Sequence, residues 1–324
     1  MRAVLVDPQA KQLVVDVVPD PEPGRGQLLV RVVAAGVNRA DLAITAGAYH
    51  RQATATRFGA GSELAGTVVA VGPGVDGFQV GDRVMSMGAG FAELAIVPAV
   101  LAMAVPAGLD EVAAGALPVA LATMHDALVT HGGLTGGQHV VVNAASSGVG
   151  VVGVRIALHL GAATVVGTSR SAAKRAQLEE LIGDDRFHVV APDRLVATVE
   201  ELTGSRGVDV IVDNVGAAAL SDNVAAAAVL GRIVQVGRLG GRTATIDLDE
   251  LARKRISLIG ATFRTRTADE RAAVVQAAWR DLAPAVASGA VVPHVHAEYA
   301  LDEVPAAHAA LARDEHVGKL VIRP

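Results

Sequence analysis

The residues best placed to do chemistry lie in two short stretches. Residues 144–150 read Ala-Ala-Ser-Ser-Gly-Val-Gly. The pattern G-x-G-x-x-G is not met literally; Ala144, Ser147 and Gly150 stand at three-residue intervals, with Gly148 between. A turn with no bulky side chains lets backbone N–H groups reach a pyrophosphate at a helix N-terminus, where the helix dipole also favours negative charge. Taken alone, the turn also fits a buried strand–helix–strand crossing with no ligand. The second stretch weighs against that. Roughly 20 residues past the glycines, an NAD site places Asp or Glu on the ribose 2′-hydroxyl. Here the chain has Thr168, Ser169, Arg170 and Ser171, with Lys174 one helical turn on. A carboxylate would repel a 2′-phosphate, whereas hydroxyls and cations attract it. The expected cofactor is therefore NADPH. A solvated helix start is the other reading of Arg170 and Lys174, and the expected one for Arg175.

The elements around these stretches set their geometry. Residues 139–143 are an apolar, β-branched run of strand length; 151–160 read as a helix ended by Gly161, and 162–167 as a second strand. This is one βαβ unit. Further on, helices are expected at 176–182, 194–202 and 220–230, and strands near 188–190, at Val208–Asp213, 232–236 and 256–261. Strands alternating with helices imply a parallel, doubly wound sheet. Upstream, short strands at 3–6, 13–18, 28–35, 65–71 and 91–97, broken by Gly/Pro turns, imply a β-rich, barrel-like unit. Residues 113–131 are helical, interrupted by Pro118. After a loop at 262–266, a helix at 269–288, a strand at 291–299, a helix at 304–312 and a strand at 318–322 do not extend a nucleotide sheet. They are expected to return to the first unit.

Composition narrows the class. The chain has 324 residues, 51% hydrophobic and 19% charged, enough for two domains with sizeable cores. Its net charge of −5 carries no basic footprint for nucleic acid. No apolar run is long enough to span a bilayer, and the N-terminus has no signal-peptide pattern, so a cytoplasmic protein is expected. There is no cysteine, hence no disulfide, no thiol nucleophile and no cysteine zinc site.

Several segments carry a resemblance along nearly the whole chain: Ala35-Gly36-Val37-Asn38-Arg39-Ala40-Asp41-Leu42, Gly61-Ser62-Glu63-Leu64-Ala65-Gly66, Val80-Gly81-Asp82-Arg83-Val84, Gly90-Phe91-Ala92-Glu93, Ala145-Ser146-Ser147-Gly148-Val149-Gly150, Asp213-Asn214-Val215-Gly216 and Gly318-Lys319-Leu320-Val321. In this order and spacing they resemble the medium-chain dehydrogenase/reductase superfamily, on its zinc-free quinone oxidoreductase (zeta-crystallin-like) branch. The resemblance implies an α/β protein: a GroES-like β-rich catalytic domain from residues 1–119 and 262–324, and a Rossmann NADPH-binding domain from 120–261. It also implies a zinc-independent reductase of a quinone or an α,β-unsaturated carbonyl, with an enoyl-thioester reductase of polyketide or fatty-acid type as the rival. An NADPH-binding protein with a structural or regulatory role is the non-enzymatic alternative.

Residue by residue, the resemblance puts Ser146, Ser147, Gly148, Val149 and Gly150 around the pyrophosphate and Thr168, Ser169, Arg170 and Lys174 around the 2′-phosphate. Asn214, Val215, Val236, Gly237, Thr262 and Phe263 would flank the ribose and nicotinamide. Asn38 would lie beside the nicotinamide and orient the acceptor, or cap the helix that follows, or both. Tyr49 would line the substrate cleft and donate to a carbonyl, or pack its loop. Thr123 would pack near the nicotinamide, or simply be a buried helix threonine. Lys319 would serve the cofactor or pair across the last strand. Zinc relatives carry Cys where Asn38 stands and His where Ser62 precedes Glu63, so no metal is expected. His294 and His296, two apart on a strand, share a face but have no visible third ligand. A homodimer is implied, paired through the edge strand at 256–261.

Overall fold

The computed structural model describes residues 1–47 and 57–324, so the expectation for Tyr49 lies outside the described residues. The chain divides into two compact units, Met1–Val119 with Arg264–Pro324, and Ala120–Phe263.

The first unit is β-rich. Gln12–Val17, Arg2–Asp7 and Phe58–Gly59 form a small antiparallel sheet. A larger sheet runs in the order Val295–Ala300, Lys319–Arg323, Gln27–Val37, Glu63–Val71, Arg83–Met87, Ala102–Ala104, and Leu94–Pro98 pairs with Gln27–Val37 off this path. Alternating Val and Leu side chains on these strands fill one core. Leu28, Val30, Leu64, Phe91, Val97, Leu320 and Ile322 meet the apolar face of the helix Val304–Arg313 there. The last strand lies antiparallel on Gln27–Val37, with Leu320 opposite Val37 and Val321 opposite Gly36. Segments 281 residues apart in sequence are thus brought to one place.

The second unit is a six-stranded parallel sheet in the order Phe187–Val190, Thr164–Thr168, His139–Val142, Val208–Asp213, Ala227–Gln235, Ser257–Gly260. Numbered along the unit this is 3-2-1-4-5-6, the Rossmann order. The GroES-like plus Rossmann α/β architecture is thus the observed one. The strands are Val/Ile runs because both faces are covered by helices. Val141, Val166, Ile211 and Ile233 pack with Leu195, Val199 and Val224.

Local differences from the sequence reading have physical causes. The helix expected over 220–230 ends at Ala226, and the strand Ala227–Gln235 begins at once. Ala-rich sequence favours helix locally, but pairing with Val208–Asp213 prevails, with a register shift between Val208 and Val210. The helix after Ser171 starts at Ala172 and not 176, because Ser171 caps it by accepting from the Lys174 N–H. The segment 113–131 is Glu111–Gly115 and Pro118–His125, followed by a wider π turn over Asp126–His131. Pro118 starts the second helix, where its missing N–H costs nothing. Among the described residues, no helix is long and apolar enough to cross a membrane.

Candidate active site

In the first unit, a chain of polar groups lies beneath the surface at the end of the strand Gln27–Val37. The register of the last strand carries Lys319 beside Asn38. The Lys319 ammonium donates to Asn38 Oδ1 at 2.7 Å and pairs with Glu63 Oε1. Asn38 Nδ2 donates to Glu63 Oε1 at 2.8 Å and reaches Ser62 Oγ at 3.3 Å. Glu63 Oε2 accepts the Val119 N–H at 2.7 Å. Lys319 is 2% exposed and Glu63 0%, so this is a buried ion pair that needs its remaining hydrogen bonds satisfied. Gly36 makes room for it: a Cβ there would lie 2.2 Å from Glu63 Oε1.

The chain continues on the short helix Arg39–Thr45. Ser62 Oγ donates to Asp41 Oδ1 at 2.7 Å, and Asp41 Oδ2 accepts the Asn38 N–H at 2.8 Å. Asp41 therefore supplies the capping bond at this helix start, while the Asn38 side chain, although at the N-cap position, turns inward to Lys319 and Glu63. Burial pushes the Asp41 carboxyl up to about 6; the bonds from Ser62 and Asn38 and the charge of Lys319 oppose the rise. Beside Asp41 lies a cavity of about 30 Å³, lined also by Thr45, Phe58, Gly61 and His308. It has room for one water. His308 is buried edge-on to Phe91, and burial pulls its pKa down to about 4. Its Nε2 has no hydrogen-bond partner among the described residues.

Zinc does not fit this cluster. Where the resemblance places Cys and His in zinc relatives, this chain has an amide and a hydroxyl, and the cation against Glu63 is the Lys319 ammonium. Among the described residues, no group of three or more His, Cys, Asp or Glu is arranged to hold a metal. His296 lies against the ring of His316, 6.0 Å between centroids.

The second unit holds the small-residue turn. Ala144 takes the left-handed conformation, φ 53°. Ser147 caps the helix Gly148–His159: its Oγ accepts from the Gly150 N–H at 3.0 Å and donates to Ala144 O at 2.8 Å. With Gly150 served, the amides of Gly148 and Val149 are the first-turn donors that the helix leaves for an anion. A Cβ on Gly150 would sit 2.4 Å from Ala144 O, so the turn closes only around glycine. Ser146 and Ser169 lie together, Oγ to Oγ at 3.3 Å. Lys174 is the third residue of its helix, buried to 9% exposure at the positive end of the dipole, a position that favours an anionic neighbour. Arg175 is not simply solvated: its guanidinium donates to Ser169 O at 2.8 Å and Arg170 O at 3.0 Å, holding the loop that presents Arg170.

Thr168 sits apart from that group. It is buried, donating to Asn143 Oδ1 at 3.0 Å and accepting the Ala144 N–H at 3.2 Å. Asn143 in turn donates to Asn223 Oδ1 at 2.7 Å and accepts at its carbonyl from Asn214 Nδ2 at 3.0 Å. Asn214 Oδ1 is a buried acceptor with no partner among the described residues. Val236 and Gly237 donate their amides to Asp213 O at 2.8 and 3.0 Å, which ties the strand ends carrying Asn214, Val215, Val236 and Gly237 into one rim. Thr262 and Phe263 close the unit, both half-buried, and Thr123 is half-buried on Pro118–His125. These features fit a dinucleotide.

The sequence reading thus named most members of two groupings but missed how they connect. Asp41, Ser62 and Glu63 stood in the resemblance without a role, although Asn38-x-x-Asp41 is a capping pattern that points to Asp41. Asn143, Asn223 and His308 carried no signal, because a lone polar residue in an apolar run does not reveal its partner.

Comparison with known proteins gives the family. Residues 24–107 match the family model of the alcohol dehydrogenase GroES-like domain, and residues 148–280 that of the zinc-binding dehydrogenases. The quinone oxidoreductase of Rattus norvegicus is 30% identical over 336 residues, covering 99% of this chain and 97% of that protein. Erythronolide synthase EryA2 of Saccharopolyspora erythraea is 33% identical over 308 residues, 92% of this chain, but the chain spans only 8% of the synthase. Among solved structures, mycobacterial Rv1454c complexed with NADPH superimposes with a TM-score of 0.85 at 31% identity, covering 100% of both chains. The chain therefore belongs to the medium-chain dehydrogenase/reductase superfamily, on its quinone oxidoreductase-like branch.

Proposed function

We propose that this protein is a zinc-independent, NADPH-dependent reductase that transfers hydride to a quinone or an α,β-unsaturated carbonyl. The observation that carries the reading is the buried Lys319–Glu63–Asn38 cluster. It replaces a metal's ligand set with an ion pair and an amide, and leaves a scaffold suited to acceptors that carry their own electron sink. Quinones and enones need only a hydrogen-bond or proton donor at the oxygen or carbon that gains charge. The nicotinamide, when bound, supplies the hydride.

In this reading, residues 146–150 hold the pyrophosphate through the open amides of Gly148 and Val149. Ser169, Arg170 and Lys174 hold the 2′-phosphate. Asn214, Val215, Val236, Gly237, Thr262 and Phe263 bind the nicotinamide half, with Asn214 Oδ1 as acceptor. Support for NADPH comes from the cationic loop and from the mycobacterial neighbour complexed with NADPH. Thr168 and Asn38 shape the site through their hydrogen-bond partners, and Lys319 acts by pairing with Glu63. Similarity to erythronolide synthase over 92% of the chain supports the second reading, an enoyl-thioester reductase. The strand Ser257–Gly260 is the outer strand of its sheet and exposes Leu258, with Val229 and Leu230 exposed on the neighbouring strand; this supports a homodimer paired along that edge.

The test is oxidation of NADPH and of NADH by the purified chain with a quinone, an enone and an enoyl thioester. Turnover of a quinone or enone at least tenfold better with NADPH is expected. Turnover confined to the thioester would select the second reading. Tight NADPH binding with no turnover would point to a cofactor-binding protein without enzymatic activity.

A further inference from the structure

We propose that Asp213 is a positioning residue for the nicotinamide half of the dinucleotide: its carboxylate fixes the loop that carries Asn214, and its carbonyl fixes the neighbouring loop that carries Val236 and Gly237. The inference rests on the NADPH reading above. It gives a role to a buried charge that no contact in that reading uses.

A carboxylate at the end of an apolar strand is costly. Asp213 closes the run Val208–Asp213 and is 0% exposed. Burial pushes its pKa up; the N–H bonds from Gly216 and Val215, and the amides of Asn143 and Asn223 beside it, oppose the rise. An apolar residue would end the strand without that desolvation cost. What the carboxylate adds is control of the next three residues. Its Oδ1 accepts the Val215 N–H at 2.8 Å and the Gly216 N–H at 2.9 Å. An Asp side chain that bonds amides two and three positions on closes a tight turn, and its charge strengthens both bonds.

That turn holds Asn214 at its corner. Asn214 Nδ2 donates to Asn143 O at 3.0 Å, while Oδ1 is the buried acceptor with no partner among the described residues. The Asp213 carbonyl serves the other loop. It accepts the Val236 N–H at 2.8 Å, the Gly237 N–H at 3.0 Å and Gln235 Nε2 at 3.3 Å. The two loops then meet backbone to backbone. A Cβ on Gly237 would lie 2.0 Å from Asn214 O, and the Gly240 N–H donates to Val215 O at 2.7 Å. One residue thus ties both loops through different atoms, and every tie lies within the second unit.

A buried acceptor adds to affinity only where it is already held for its donor. A loop that must be ordered on binding gives that affinity back as lost entropy. Asp213 orders the loop before the ligand arrives, and a nicotinamide carboxamide carries an N–H of the type that Asn214 Oδ1 lacks. The adenosine half is assigned above to the turn after His139–Val142 and the loop after Thr164–Thr168. Loss of the Asp213 carboxylate should therefore be felt by one half of the cofactor.

The experiment measures, on the full chain, affinity for NADPH and for adenosine 2′,5′-bisphosphate, which lacks the nicotinamide half, by titration calorimetry, with urea unfolding alongside. Asp213→Ala should weaken NADPH by about tenfold and leave the bisphosphate within about twofold of wild type. Asp213→Asn keeps an oxygen for the two N–H groups and should recover NADPH affinity to within about threefold of wild type. Asp213→Ser serves one of the two N–H groups and should give the same pattern at smaller size; it stands in for Asp213→Ala if that variant does not fold. Equal losses for the two ligands would make Asp213 a support of the fold alone and overturn the proposal, as would unchanged NADPH affinity in Asp213→Ala or no recovery in Asp213→Asn. In those cases the NADPH reading stands. If the wild type binds neither ligand, the NADPH reading itself fails and the positioning role with it.

Discussion

The two candidate functional regions solve opposite problems. In the first unit, Lys319, Glu63, Asn38 and Asp41 satisfy one another almost completely beneath the surface. In the second, the turn at 144–150 satisfies some of its groups so that others stay open: Ser147 serves Gly150, and Gly148 and Val149 keep their amides for a ligand. The closed cluster draws its rigidity from the chain itself. The open turn, in the proposed reading, is completed by an anion. Loss of one partner should therefore be felt as instability in the first unit and as lost affinity in the second.

The sharpest test of that contrast is Lys319→Met. It strands the Glu63 carboxylate, 0% exposed, with two N–H donors and no countercharge. Breaking a buried pair from one side costs about 3–5 kcal/mol. Urea unfolding should show that loss, and Lys319→Met combined with Glu63→Gln should recover most of it. A single variant as stable as wild type would mean that the cluster is wet and loosely held.

Asp41 and His308 offer the next test, through pH. Asp41 has its pKa raised from 3.8 to about 6, so the folded state holds that proton more tightly than the unfolded chain. Its stabilising contribution is complete below the unfolded value and fades as pH rises through about 6. His308 has its pKa lowered from 6.5 to about 4, so the folded state resists the proton. Its contribution is complete above the unfolded value and fades as pH falls through about 4. Between pH 4 and 6 the two slopes oppose each other and nearly cancel. Asp41→Asn should therefore leave a protein whose unfolding free energy rises with pH across that window, and His308→Leu one whose free energy falls, each by about 3 kcal/mol at most. Slopes of the same sign in both variants would break the pairing.

What the sequence disclosed follows the same division. The parallel sheet was legible because Val/Ile runs alternate with helical periods, and the turn because small residues follow a strand. The closed cluster was not, since Asn38, Ser62 and Lys319 meet only through strand pairing across 281 positions. Asn38 reads as a group that orients the acceptor, caps the helix that follows, or both; its amide partners, Lys319 and Glu63, are not legible in the sequence. Helix ends were legible where a cap fixes them and misread where a sheet overrides propensity, as at Ala227.

In the open region, Arg170→Asp combined with Lys174→Ala should weaken NADPH by about 100-fold, with NADH little changed, since each charge-assisted contact to a phosphate contributes about 1.5–3 kcal/mol and exposure of Arg170 reduces its share. Competitive binding of the two cofactors measures this. Equal losses would place the 2′-phosphate elsewhere.

The smallest effect separates Thr168 from its neighbours. By sequence position it belongs with Ser169, Arg170 and Lys174 as a phosphate contact. By geometry it belongs with the closed kind of site, because its hydroxyl serves Asn143 Oδ1 and the Ala144 N–H. Thr168→Val keeps shape and removes the hydroxyl, leaving those two groups without it at a cost of about 1–2 kcal/mol of stability. Ala144, held in a left-handed conformation, then loses a tie that fixes the turn. If the turn holds the pyrophosphate common to both cofactors, as proposed, NADPH and NADH should weaken by the same factor, a few-fold. A loss confined to NADPH, with stability unchanged, would return Thr168 to the phosphate and place an open contact where the geometry shows a closed one.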